Sequence, residues 1–189
     1  HNAVLRPLKA MEAQGVSFTV VPVTPCDNDA TLDAFRHALR ENTRMLICTQ
    51  ASNVWGIRVP VERLAALAHV YGAEICVDAA QSGGVVPIHA AEDGIDYLCC
   101  AGHKGLYGPM GTGMLITRQG EKLKSLIQGG TGTLAMQLEQ PRDMPEYLES
   151  GTQNVPGILA LGAGLDFVRA RGEENVRQAE MRHVRRIYE

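Results

Sequence analysis

The chain has 189 residues, 45% of them hydrophobic and 21% charged, the make-up of a globular domain with one sizeable core. Its formal charge of −3 gives no electrostatic reason to bind nucleic acid or an anionic membrane, and the basic clusters are short, as in Arg182-His-Val-Arg-Arg186. No run of about 20 apolar residues exists for a membrane span, so the expected partners are small molecules or protein.

Val16 to Val23 is a β-branched apolar run that predicts a strand, and Thr31 to Arg40 follows with Leu32, Phe35 and Leu39 at helical spacing. Arg44 to Thr49 predicts a second strand. Pro60 suits the first turn of a helix whose apolar face carries Val61, Leu64, Ala65, Ala68 and Tyr71. Ala73 to Asp78, Asp96 to Ala101 and Thr112 to Thr117 predict three more strands. Strands alternating with amphipathic helices give an open, mostly parallel α/β sheet covered on both faces, a three-layer α/β/α arrangement. The Gly- and Pro-rich link before Thr112 is too short for a crossover helix, so the last strand is expected to run antiparallel. A short helix near 120–127 follows, then loops at 129–133 and 137–149. A helix from Asn154 and Pro156 carries Ile158, Leu161, Leu165 and Val168 on one face, and Arg171-Gly172 breaks it before a charged amphipathic segment that runs to Glu189.

Cys26, Cys48, Cys76, Cys99 and Cys100 are an odd set without paired CxxC spacing for zinc, and all but Cys26 lie in apolar runs. They read as reduced thiols in a reducing, cytoplasmic compartment. No metal site is expected: Cys99 and Cys100 are adjacent in a strand and point to opposite faces, which argues against a metal shared with His103. A dinucleotide-binding reading of Gly162-Ala-Gly164 fails because these glycines sit in a helical pattern with no strand before them.

The chemistry gathers at three strand exits. In open α/β sheets ligands bind outside the carboxyl ends of the parallel strands. The second strand ends near Ser52-Asn53, the third at Asp78-Ala-Ala-Gln81, and the fourth at Gly102-His-Lys-Gly105. A lysine in a glycine-flanked turn past a buried strand can form an imine with an aldehyde cofactor, which points to pyridoxal phosphate (PLP). An acid such as Asp78 keeps a pyridine nitrogen protonated and makes the ring an electron sink. Gln81 and Asn53 offer amide hydrogen bonds to a phenolic oxygen or a carboxylate, and His103 can donate to a phosphate or steady Lys104. Each residue alone has an ordinary structural explanation, whereas the set on neighbouring exits does not.

Ser52-Asn-Val54, Val77-Asp-Ala-Ala-Gln81, Gly102-His-Lys104 with Tyr107-Gly-Pro109 and Gly111-Thr-Gly113, then Ser150-Gly-Thr-Gln-Asn154, resemble in order and spacing the class V aminotransferase-fold enzymes, especially cysteine desulfurases. The resemblance runs through essentially the whole chain. It implies the fold type I large domain, with a mixed, mostly parallel sheet of which this chain holds the central and later strands. It also implies that Lys104 is the Schiff-base lysine, Asp78 the partner of the pyridine nitrogen, Gln81 the donor to the ring hydroxyl, and His103 a phosphate ligand. His1, in a remnant of the motif Glu-His-x-Ala, matches the histidine that stacks on the ring. Asn53 matches the asparagine beside the ring hydroxyl and the substrate carboxylate. Gly129, Gly130 and Thr152 match segments that reach across a homodimer interface toward the partner's cofactor phosphate.

The chain departs from the family pattern at Ala101, where similar desulfurases often carry a serine able to reach the phosphate. Starting at His1 and stopping within a helical pattern, the chain reads as a fragment. Residues 1–170 would form the cofactor-binding large domain without its N-terminal part, and 171–189 the start of a helix toward a small domain. The expected activity is PLP-dependent conversion of cysteine to alanine, with sulfur passed to an enzyme cysteine outside these residues and from there to an acceptor protein. The alternatives are a class V aminotransferase, epimerase or lyase acting on another amino acid, or an inactive fragment serving as a dimerisation scaffold.

Overall fold

The computed structural model describes residues 1–189. Helix α1 spans Asn2–Met11 and α2 spans Asn28–Ala38; strand β1 (Met45–Thr49) is followed by helix α3 (Val61–Val70) and by β2 (Glu74–Asp78). Strands β3 (Tyr97–Ala101) and β4 (Gly113–Thr117) complete the sheet, and helices α4 (Val155–Arg171) and α5 (Glu173–Tyr188) close the chain. The sheet order is β1-β2-β3-β4. The first three strands are parallel and β4 returns antiparallel, with Tyr97 opposite Thr117 and Ala101 opposite Gly113. This is the mixed, mostly parallel α/β sheet expected from the sequence, and the short Gly/Pro link does reverse the chain.

The period of two along each strand decides what each sheet face does. Leu46 and Cys48 of β1, Ile75 and Val77 of β2 and Leu98 of β3 point into the core, where Leu64, Ala65 and Ala68 of α3 meet them. Leu32 and Phe35 of α2 extend the same cluster. Full burial of each large aliphatic side chain contributes about 1.5–3 kcal/mol, so this face is the main source of cohesion. The alternate residues Ile47, Thr49, Cys76, Asp78 and Cys99 are only half-buried, and they face a cavity bordered on its far side by α1. Asp96 ties the sheet at the opposite end: its carboxylate accepts from the Ile75 backbone N–H (2.8 Å) and the Gln119 amide (3.3 Å), and it lies 2.9 Å from His69 Nε2.

Three local expectations change. Val16 to Val23 forms no strand, leaving four strands where the sequence suggests five. The reason is a missing neighbour. β1 is the sheet edge, and no backbone hydrogen bond joins Val16 to Val23 to it; Val21 and Val23 only border a cavity of about 470 Å³ beside it. A β-branched run with no ladder to join does not become a strand on composition alone. The predicted helix near 120–127 contracts to a single 3₁₀ turn, Gly120–Lys122. Helix α1 goes unpredicted although Val4, Leu8 and Met11 stand at helical spacing; it buries none of its side chains, and these residues border a cavity instead of the core.

Helix α4 begins where the sequence places it. The Asn154 side chain caps it by accepting the Gly157 N–H at 3.1 Å. Asn154→Ala is expected to cost about 1 kcal/mol in urea denaturation, whereas Asn154→Asp should hold near wild type because it keeps the acceptor.

Candidate active site

The three strand exits converge. His1, Asn53, Asp78, Gln81 and Lys104 line one cavity of about 480 Å³, together with Thr49, Cys76 and Cys99 from the sheet and apolar residues of α1. Its floor is the half-buried sheet face and its roof is α1. It adjoins the second cavity at His1, Ile47, Thr49 and Asn53, which line both.

Asp78 sits at the end of β2 directly opposite Thr49 on one side and Cys99 on the other. One carboxylate oxygen accepts the Ala80 backbone N–H at 3.0 Å, and the other receives only a long contact, 3.5 Å, from the Thr49 hydroxyl. That second oxygen keeps lone pairs for a donor in the cavity. Gln81 follows in the same turn, exposed at the cavity edge. Asn53 stands in the turn after β1, a turn that Ser52 organises by accepting the Val54 and Trp55 backbone N–H groups at 3.2 and 3.1 Å. His1 caps α1, its Nδ1 accepting the Ala3 N–H at 3.2 Å.

Lys104 is held by its backbone alone. Its carbonyl accepts the Tyr107 N–H at 3.0 Å, and the Gly108 N–H closes the turn on the Gly102 carbonyl at 2.7 Å. Its ammonium has no hydrogen bond and no ion pair. The glycines around it serve close packing more than freedom of movement. A Cβ on Gly105 would lie 2.4 Å from the Gly83 carbonyl oxygen, and one on Gly84 would lie 2.1 Å from the Gly105 carbonyl oxygen. From the other side α4 presses on the turn through Gly164, where a Cβ would meet the Leu106 carbonyl at 2.3 Å. The edge-to-face pair Tyr107 and Phe167, with ring centroids 4.9 Å apart, adds to this clamp.

The thiols divide by sheet face. Burial pushes Cys48 up to about 12 and Cys100 up to about 11, which makes both inert near neutrality. Cys76 and Cys99 meet on the cavity side. The hydrogen bond between them holds Cys99 below the usual thiol range and Cys76 above it.

The other expected site residues lie outside this cavity. His103 is exposed on its turn, and Gly129, Gly130 and Thr152 lie in exposed loops that join each other, with the Gly151 N–H donating to the Gly130 carbonyl at 2.7 Å. Thr49, Cys76 and Cys99 also line the cavity, and the sequence reading does not place them at the site. Register gives the missing signal, since residues flanking Asp78 on neighbouring strands share its face.

The residues present suit the ring of PLP. A carboxylate with an open acceptor, an uncommitted lysine amine, two primary amides and an imidazole supply an acceptor for a pyridinium N–H, a nucleophile for an aldehyde, donors for a phenolic oxygen and a flat stacking surface. No arginine lines the cavity, so the cavity itself supplies no guanidinium for a phosphate.

A family profile, aminotransferase class-V, matches residues 1–189. A cysteine desulfurase of Escherichia coli O139:H28 is 32% identical over 186 residues, covering 95% of this chain and 45% of that protein. One from Gluconacetobacter diazotrophicus is 39% identical over 152 residues, covering 80% and 35%. Among solved structures, the apo cysteine desulfurase of Thermococcus onnurineus NA1 superposes with a TM-score of 0.79 at 26% identity, covering 98% of this chain and 47% of that one. The Escherichia coli cysteine desulfurase CsdA gives 0.77 at 27% identity, covering 93% and 45%. The chain therefore spans about half the length of the relatives it matches.

Proposed function

This chain belongs to the aminotransferase class-V family, and on that premise we propose that it carries the cofactor-binding half of a PLP-dependent cysteine desulfurase. The observation that carries the reading is the convergence of His1, Asn53, Asp78, Gln81 and Lys104 on one cavity from four separate parts of the chain. When bound, PLP supplies an electron sink that makes the Cα–H of an amino acid acidic.

Asp78 holds a proton on the pyridine nitrogen through its free carboxylate oxygen, while the Ala80 N–H fixes the other oxygen. The His1 imidazole stacks on the ring. Gln81 donates its amide N–H to the ring hydroxyl oxygen, and Asn53 donates to the same region and to the substrate carboxylate. The Lys104 amine would hold the cofactor covalently and, when free, would take the proton from Cα. His103 is assigned to the cofactor phosphate. Gly129, Gly130 and Thr152 are assigned to a homodimer interface near the partner's phosphate, a role their exposure suits. Residues 1–170 form the cofactor-binding domain in this reading and 171–189 lead toward a further domain. The sulfur acceptor is not assigned to any of the five cysteines of this chain. A cytoplasmic site of action agrees with five free thiols.

Titrating the protein with PLP should produce a visible absorbance band. Asp78→Asn should weaken binding by roughly tenfold to a hundredfold, the worth of a hydrogen bond to a charged group. Cysteine given to the whole enzyme together with a dithiol reductant, which releases the persulfide sulfur as sulfide, should yield equal alanine and sulfide. Release of a keto acid without sulfide would instead make it an aminotransferase, and the absence of any new band would sink the PLP assignment.

A further inference from the structure

Cys76 and Cys99 are the two reactive side chains of the cavity that the proposed chemistry leaves unused. They stand on adjacent parallel strands and on the same sheet face. The register sets Asp78 opposite Cys99 and Cys76 opposite Tyr97, which puts Cys76 on the diagonal to Cys99 across the β2–β3 seam. Both are half-buried and both border the open cavity. The remaining thiols are placed differently: Cys48 is 6% exposed in the core, Cys100 points to the other face, and Cys26 lies exposed in the loop before α2, outside the cavity lining.

The local electrostatics act in opposite directions at Cys99. Burial and the Asp78 carboxylate oppose its ionisation, yet the hydrogen bond from Cys76 outweighs them and favours the thiolate. Cys76, as the donor, keeps its proton. An ionisable thiol open to a cavity, with a second thiol diagonally across the strand seam on the same face, has the components of a peroxide-reactive pair: a nucleophile and a resolving partner.

We propose that Cys99 is a peroxide-reactive thiol and Cys76 its resolving thiol, so that the cavity floor is a site of reversible oxidation to a Cys76–Cys99 disulfide. The Cys99 thiolate attacks one oxygen of a hydroperoxide. The S–O bond forms, the O–O bond breaks, and hydroxide or an alkoxide leaves. The Cys76 sulfur then attacks the sulfenic sulfur; the S–S bond forms, the S–O bond breaks, and the departing hydroxyl leaves as water with the Cys76 proton. Two thiols lose two electrons, which the hydroperoxide takes up. The inference stands on the thiols alone and holds whether or not the cavity takes PLP.

The test exposes the full chain at neutral pH to hydrogen peroxide, quenches it with an alkylating agent and digests it without reduction. Cleavage after Arg63 and Lys104 and before Asp78 and Asp96 separates a 64–77 peptide, with Cys76, from a 96–104 peptide, with Cys99 and Cys100. The expected product is these two peptides joined through Cys76 and Cys99 and two hydrogens lighter than their sum, still formed in Cys100→Ser. Cys76→Ser should lose the cross-link and leave Cys99 as a sulfenic acid captured by dimedone. Before oxidation, iodoacetamide should label Cys99 at least about tenfold faster than Cys48 or Cys100, because only the thiolate reacts. The proposal is overturned if wild-type protein, whose fold needs no defence, oxidises first at Cys26, forms its cross-link through another pair, or labels Cys99 no faster than Cys100.

Discussion

Lys104→Ala is expected to remove the visible band formed with PLP and to lower turnover of the whole enzyme by at least about 10²–10⁴-fold, the range for loss of a general base. The variant should fold normally. The Lys104 side chain is exposed and its ammonium has no partner, so its removal leaves no orphaned charge and no cavity. Unfolding in urea should therefore stay within about 0.5 kcal/mol of wild type, as for other surface substitutions. Borohydride reduction of the wild type with PLP should add the mass of the reduced cofactor to the peptide containing Lys104, and the variant should gain nothing. A variant that retains the band would move the attachment point to another lysine and undo the assignment.

Gly84→Ala should be the most destabilising single-methyl change in the chain. Gly84 has φ of +83°, and a Cβ there would sit 2.1 Å from the Gly105 carbonyl oxygen, a backbone atom that cannot swing aside. Left-handed strain costs about 1–3 kcal/mol and forced overpacking about 1–3 kcal/mol, so a loss of about 3 kcal/mol or more is expected in urea denaturation. Because Gly105 follows Lys104, the same methyl should also shift the lysine and weaken PLP binding. Gly162→Ala is the matched control: it lies within α4 with nothing within 4 Å of its Cβ, and it should be neutral or stabilising by up to about 1 kcal/mol. Equal stability of Gly84→Ala and wild type would mean that the turn is looser than the structure has it.

The sequence carries most of the fold because its strongest signals are local. The apolar face from Val61 to Ala68 predicts α3, and Asn154 with Pro156 marks the start of α4. The short glycine-rich link before Thr112 predicts the antiparallel return of β4. Val16 to Val23 misleads because strand propensity needs a ladder, and this segment makes no backbone hydrogen bonds with the β1 edge. The site is legible through residue types at strand ends, hence Asp78, Gln81, Asn53 and Lys104. What escapes is lateral: Thr49, Cys76 and Cys99 reach the cavity through sheet register, which no single segment encodes. The tight use of Gly84, Gly105 and Gly164 escapes for the same reason, since it depends on three distant stretches of backbone meeting.

That meeting has a kinetic side. The turn bearing Lys104 is sealed by α4, which lies far downstream in sequence, whereas the sheet beneath it is built from segments that precede the turn or follow it closely. Contacts of long sequence separation pay the larger loop-closure entropy. In hydrogen exchange the sheet amides are therefore expected to outlast those of Tyr107 and Gly108, whose turn would open when α4 lifts away. Sub-global opening of this kind uncouples the lysine from the floor of its own cavity without unfolding the domain.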